Sequence, residues 1–209
     1  MPEIFPPIEE ELGPYRQYFT GNVLNAGAGN RDISHLVEGK LFNQDIPAGI
    51  HNENIHILSP LHQIPKEDGF FDAIICNAVL EHVENPEQVL AEFKRVCKPG
   101  GVLYLCVPFM QPEHRDPTDF QRYTIDGLQR QVRLHGFEVI EANGVHSVYT
   151  TLAWIIIEWL NAEPKTVRTF LLKRFFFPFL RKHCRTGKLH VHSLASAYRV
   201  VARRTPEPA

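Results

Sequence analysis

Phe70-Phe71-Asp72-Ala73-Ile74-Ile75-Cys76-Asn77-Ala78-Val79-Leu80-Glu81-His82-Val83 runs on through Pro86–Val96 to Lys98-Pro99-Gly100-Gly101-Val102-Leu103-Tyr104-Leu105-Cys106-Val107, and this stretch decides the fold. Within it Asp72–Cys76 is apolar at every position after the aspartate, as a strand buried on both faces requires. Pro86–Val96 then sets Val89, Leu90, Phe93 and Val96 on one helical face, with Pro86 at the start and Gly100-Gly101 past the end. Val102–Val107 is a second uninterrupted apolar strand, stopped by Pro108. Strand, helix and strand in this order, with both strands apolar throughout, make a parallel unit with a helical crossover.

The same alternation extends in both directions. Asn22–Ala26, Lys40–Asp45 and Asn54–Leu58 read as strands before it, with a brief helical stretch at Asp32–Val37. After it come a helix at Thr124–His135 closed by Gly136, a strand at Phe137–Glu141 and a last strand at Ala197–Ala202. The expected fold is a single α/β domain over residues 1–209, with a doubly wound, mostly parallel sheet. Residues 1–19 form an N-terminal arm and helix, and residues 143–190 a helical insertion before the last strand. Ligands of such sheets bind beyond the carboxyl ends of the strands, which points to Gly27–Arg31, Asp45, Ser59–His62, Asn77–His82 and Pro108–Tyr123.

Asn25-Ala26-Gly27-Ala28-Gly29 is a glycine-rich turn directly after a strand, where glycine lets backbone approach a ligand closely. Dinucleotide and methyl-donor enzymes share such a turn. A dinucleotide fingerprint wants a third glycine where this chain has Asp32, and the P-loop lysine is missing. Asp45, 16 residues after Gly29, ends the second strand and can accept hydrogen bonds from both ribose hydroxyls of a nucleoside.

The run Phe70–Val83, then Pro86 and Leu90, then Arg95-Val96-Cys97-Lys98-Pro99-Gly100-Gly101 resembles the class I S-adenosylmethionine-dependent methyltransferases, most closely their type 11 group. The one departure in these segments is Cys97, where leucine is usual. The resemblance covers residues 20–142, and it implies a seven-stranded sheet with an antiparallel last strand and S-adenosylmethionine as cofactor. By the same resemblance Asn25, Ala26, Gly27 and Gly29 line the methionine and ribose part of the cofactor. Asp45 holds the ribose, Ile46 packs on adenine, Ser59 and Leu61 lie near the adenine, and Asn77 opens the loop that meets the cofactor. Asn25 stands where the family usually has an acid, so the methionine end is organised differently here.

Methyl transfer from a sulfonium is an in-line displacement, so the protein mainly aligns the partners and excludes water. A base is needed only if the acceptor must lose a proton, and His82, after the fourth strand, is the candidate. Some methyltransferases bind a metal through E-x-x-E-H in this loop. Here the segment is Ala78-Val79-Leu80-Glu81-His82, one ligand short, so no metal is expected. Glu113-His114-Arg115-Asp116-Pro117-Thr118-Asp119-Phe120-Gln121-Arg122-Tyr123-Thr124 concentrates ionisable groups after the fifth strand. In it His114 and Asp116 are expected to touch the substrate, and Asp119, Arg122 and Tyr123 to hold the loop. This segment also resembles a subset of the type 11 group found in bacteria, some of it beside glycan-synthesis genes. The acceptor expected is therefore a small molecule or glycan, or a lipid-linked intermediate.

The net charge of −2 conceals an acidic body and a basic tail. Residues 1–163 carry 11 Lys/Arg against 23 Asp/Glu, and residues 164–209 carry 11 against Glu207 alone. The tail also holds five phenylalanines in residues 170–179. Basic and aromatic residues together suit an anionic membrane surface, contacted through residues 164–204. A nucleic acid is disfavoured by the acidic body. No signal-peptide pattern, no C-x-x-C pair and no apolar run near 20 residues predict a cytoplasmic chain, peripheral at the inner membrane surface at most. An NAD-dependent oxidoreductase and a non-catalytic S-adenosylmethionine-binding module are the alternatives to a methyltransferase.

Overall fold

Seven strands form one sheet in the order β3-β2-β1-β4-β5-β7-β6. They are β1 (Thr20–Ala26), β2 (Glu38–Asp45), β3 (Ile57–Leu58), β4 (Phe71–Asn77), β5 (Cys97–Pro108), β6 (Phe137–Val145) and β7 (Ala197–Arg204). The helices are α1 (Ile8–Leu12), α2 (Pro86–Val96), α3 (Ile125–Leu134), α4 (Val148–Ala162) and α5 (Val167–Thr186). This computed structural model describes residues 4–47, 53–115, 117–186 and 190–206. β1 to β5 pair in parallel, and β7 inserts antiparallel between β5 and β6.

Because side chains alternate along a strand, each buried strand feeds two cores. Leu24, Ile74, Leu103 and Leu105 face α2 and α3, where Leu90, Phe93, Leu128 and Val132 are fully buried. Val23, Ala73, Ile75 and Tyr104 face the opposite way and meet Leu12, Tyr15 and Phe19 of the N-terminal segment. Each of these large apolar side chains contributes roughly 1.5–3 kcal/mol by burial. Truncating Leu90 or Phe93 would therefore unseat α2.

The second face is where the structure departs from an ordinary doubly wound sheet. The connection from β1 to β2 contains a single 3₁₀ turn, Ser34–Leu36, opened by the Asp32 carboxylate accepting from Ser34 N–H at 2.9 Å. The N-terminal segment fills the space that a crossover helix would occupy. The third strand is also shorter than Asn54–Leu58, because the His56 imidazole Nδ1 accepts the Asn43 N–H at 3.1 Å. A side chain there replaces a ladder bond.

The insertion of residues 143–190 contains two helices, α4 and α5, and β6 runs into its start. Ala153, Trp154, Ile157, Leu180 and Cys184 pack with Ile4 into a third, separate apolar cluster. All four cysteines are free and buried, and burial pushes the Cys97 thiol up to about 12. They pack as small hydrophobes.

Candidate active site

The carboxyl ends of β1, β2 and β4 open onto a cavity of about 730 Å³, whose walls include Gly27, Gly29, Asp45, Ile46, Leu61 and Val79. Gly27 has φ +65°, and a Cβ there would stand 2.5 Å from both methyl carbons of Val79. Gly29 has φ +56° and nothing within 4 Å of a Cβ, so its backbone faces open space. The first glycine lets the loop close on Val79; the second leaves room for a ligand.

Asp45 is 8% exposed, and its two carboxylate oxygens accept from Gly29 N–H at 2.8 Å and Ile46 N–H at 2.7 Å. A carboxylate has about four acceptor positions, so two remain for ribose hydroxyls. Ile46, 38% exposed, and Leu61 supply apolar surface for a base. Volume, glycine opening and free acceptor positions fit S-adenosylmethionine, the cofactor the resemblance implies.

A second cavity of about 310 Å³ adjoins the first and shares Arg31 and Ala78 with it. Its walls come from far apart in the chain: Phe5 and Glu11, Asn77, Gln111, His114, His146 and Trp154. Ala78 and His146 are the non-glycine residues with positive φ among those described, at 55° and 68°, and both wall this cavity. Such backbone is costly and concentrates at functional sites. His146 Nε2 lies 2.7 Å from Glu11 Oε1. Burial opposes the charge on Glu11, but His146 and Asn77 outweigh it and hold the carboxyl below its usual range.

The segment Pro108–Thr124 is stapled over the turn Leu80–His82. Phe120 N–H donates to the Glu81 carbonyl at 2.8 Å, and Gln121 Nε2 to the Leu80 carbonyl at 2.8 Å. Arg122 forks onto both oxygens of Asp119, whose side chain is 1% exposed, and Asp119 Oδ2 accepts the His114 N–H at 2.9 Å. Arg122 holds the Asp119 carboxyl down to about 2. His114 itself is raised above the ordinary imidazole value, chiefly by the facing Glu81 carboxylate and against burial.

The residues expected from sequence therefore divide. Gly27, Gly29, Asp45, Ile46 and Leu61 line the larger cavity, as does His82. His114 lines the smaller one, and so does Asn77. Asn25 is buried and donates to Asn43 at 3.0 Å, and Ala26 is 1% exposed in the core; neither lines the larger cavity. Ser59 is buried beside it, its carbonyl accepting from Gln44 Nε2 at 2.5 Å. Asp116 lies outside the described residues. Sequence reading pointed to the loop ending at Arg31 without giving Arg31 a role, and it missed Glu11, His146 and Trp154, which reach the site only through tertiary packing.

Residues 40–105 match the model of a family described as a methyltransferase domain. A 37.1 kDa protein of transposon TN4556 in Streptomyces fradiae is 36% identical over 92 residues, 42% of this chain and 24% of that one. Human thiol S-methyltransferase TMT1B is 42% identical over 45 residues, 22% of this chain and 18% of the other. The chain thus spans no more than about a quarter of the length of these curated relatives. The crystal structure of a putative methyltransferase from Bacillus halodurans superposes with a TM-score of 0.62 at 16% identity, covering 94% of this chain and 98% of that one. The chain thus has the seven-stranded fold of the class I methyltransferases, and its residues 40–105 match a methyltransferase domain.

Proposed function

We propose that the chain moves a methyl group from S-adenosylmethionine to an oxygen or nitrogen of an acceptor seated in the smaller cavity, and that the acceptor is a glycan or lipid-linked intermediate. The observation that carries this reading is the junction of the two cavities at Arg31 and Ala78. When bound, the cofactor supplies an electrophilic methyl on sulfur. The chain's own task is to hold the two partners in line and away from water. Asp45 and the Gly27–Gly29 loop fix the nucleoside, and the Ala78 backbone separates the two cavities. Arg31, whose guanidinium donates to the Asn77 carbonyl at 2.9 Å, brings a positive charge to their junction. Phe5 and Trp154, with ring centroids 5.2 Å apart, give an aromatic wall, while Gln111, Asn77 and Glu11 offer polar groups. Apolar ring faces beside a few directed polar groups suit a sugar.

Calorimetry with S-adenosylmethionine, S-adenosylhomocysteine and NAD tests the cofactor. Absence of binding by both sulfur nucleosides at millimolar concentration overturns it, and NAD binding favours an oxidoreductase. Labelled methyl transfer into lipid, glycan, RNA and protein fractions then tests the acceptor. Nucleoside binding without transfer into any fraction would favour a non-catalytic module.

We further propose that α5 rests on an anionic membrane surface. Phe170, Phe175 and Phe179 are each more than half exposed beside exposed Arg168, Lys173 and Arg174. Among the described residues no helix is long and apolar enough to cross a membrane. Failure to co-sediment with anionic vesicles at low salt would overturn this contact.

A further inference from the structure

Glu81, His82 and His114 meet beside both cavities. Glu81 is fully buried, and among the described residues neither of its carboxylate oxygens has a hydrogen-bond partner. A buried carboxylate is strongly disfavoured unless a positive charge meets it. Its Oε1 lies 3.6 Å from His82 Nε2 and 3.7 Å from His114 Nε2, and the three ligand atoms all lie within 4.8 Å of one another. Those gaps are too long for hydrogen bonds. They are close to the spacing of about 3.0–3.5 Å between neighbouring donors around a divalent ion bound at about 2.1 Å.

The outer nitrogens of both rings are already committed. His82 Nδ1 lies 2.5 Å from the Thr118 carbonyl, and His114 Nδ1 lies 3.0 Å from the Pro112 carbonyl. A carbonyl can only accept, so His82 Nδ1 donates to Thr118, while His114 Nδ1 is held between the Pro112 carbonyl and, at 3.5 Å, the Arg122 guanidinium. In both rings Nε2 is the nitrogen left facing the Glu81 carboxylate. Backbone carbonyls that fix ring orientation in this way are the usual outer support of metal-bound histidine. Thr118 Oγ1 also donates to the His82 carbonyl at 3.2 Å, tying the two loops together.

We propose that Glu81, His82 and His114 bind a divalent first-row transition cation through the carboxylate and the two Nε2 atoms. Mixed imidazole and carboxylate donors suit Zn²⁺, Co²⁺ or Mn²⁺. Counting ligands within Ala78–His82 misses the site, because His114 arrives from 32 residues beyond His82. Three protein donors leave positions open for a ligand oxygen, and His114 lines the smaller cavity. That the cation engages an acceptor oxygen rests on the methyl-transfer reading; the site itself rests on the three side chains alone.

The test is equilibrium dialysis of the chelator-stripped full chain against Zn²⁺ or Mn²⁺, with Co²⁺ absorption reporting coordination. Wild type should bind one ion per chain, and Glu81→Gln and His114→Asn should each weaken binding by about tenfold or more. His35→Ala, at a surface histidine 3.0 Å from Glu9, should leave binding unchanged. Thermal melts and S-adenosylhomocysteine calorimetry confirm that each variant is folded, and His114→Asn decides alone if Glu81→Gln is not. No ion uptake by wild type at about 1 mM, or undiminished affinity in a folded variant, would overturn the proposal. Nucleoside binding without ion binding breaks the cation site and spares the methyl-donor reading. Ion binding without nucleoside binding does the reverse.

Discussion

The two cavities that meet at Ala78 are built in opposite ways. The larger is made by backbone: a glycine loop and the carboxyl ends of neighbouring parallel strands. The smaller is made by side chains drawn from positions as distant as Phe5 and Ala197. A backbone-built cavity follows from the strand order and tolerates little change in the loop that closes it. A side-chain-built cavity can be re-lined without disturbing the sheet, so it is where acceptor choice can vary on a constant fold.

Substitutions that spare one cavity and injure the other test this contrast, and the largest effect is expected at Gly27. Gly27→Val adds atoms where a Cβ already falls 2.5 Å from Val79, at positive φ. It should abolish S-adenosylhomocysteine binding or lower stability by roughly 2–4 kcal/mol. Gly29→Ala meets no neighbour and should cost only about 1–2 kcal/mol for its left-handed backbone. Equal losses in the two variants, measured by calorimetry and denaturant titration, would refute the different roles given to the glycines.

Asp119→Ala should come next, because it leaves Arg122 without its carboxylate in a largely buried place. A loss of roughly 2–3 kcal/mol is expected, with nucleoside affinity retained. The acid limb of stability gives a second readout. Asp119 has its folded pKa depressed to about 2, so its stabilisation is full above its unfolded value of about 3.9. It disappears as pH falls from about 4 through 2. Glu11, also depressed, acts in the same direction. Asp119→Asn should therefore flatten, without erasing, the fall in melting temperature across that window.

Asp45→Ala should weaken S-adenosylhomocysteine binding by at least about tenfold, matching the loss of charge-assisted hydrogen bonds. An unchanged dissociation constant would make Asp45 a loop brace only. The smallest effect on the nucleoside is expected from Gln111→Ala in the side-chain-built cavity. Nucleoside affinity should stay within about twofold while KM for the acceptor rises severalfold. A change in both would mean that the two cavities are not separable.

The basic tail is also two regions in the structure. Arg204 is 6% exposed and donates to the Cys97 carbonyl. Arg199 lies 4.3 Å over the Tyr15 ring and 3.7 Å from Glu141. These charges secure β7 in the sheet. Arg168, Lys173 and Arg174 on α5 remain at the surface, so the part of the tail that can meet a partner is smaller than its formal charge.

Patterns that act over a few residues were legible from sequence. α2 spans Pro86–Val96 as its apolar spacing requires, and Thr124 caps α3 by accepting the Gly127 N–H at 3.2 Å. β4, Gly27, Gly29 and Asp45 follow from the same kind of local rule, in which chain geometry dictates residue type. The N-terminal segment that covers one sheet face was not legible in the same way. Leu12, Tyr15 and Phe19 bury against Tyr104 by an energy that depends only on what surface is left open.

By itself, then, the sequence determined the parallel sheet, the glycine turn and the carboxylate that ends the second strand, because each is set by short-range periodicity or backbone sterics. Tertiary structure alone decided the walls of the smaller cavity and the meeting of Glu81, His82 and His114. Contacts between residues dozens of positions apart depend on how loops close over the sheet, and no spacing along the chain encodes that closure.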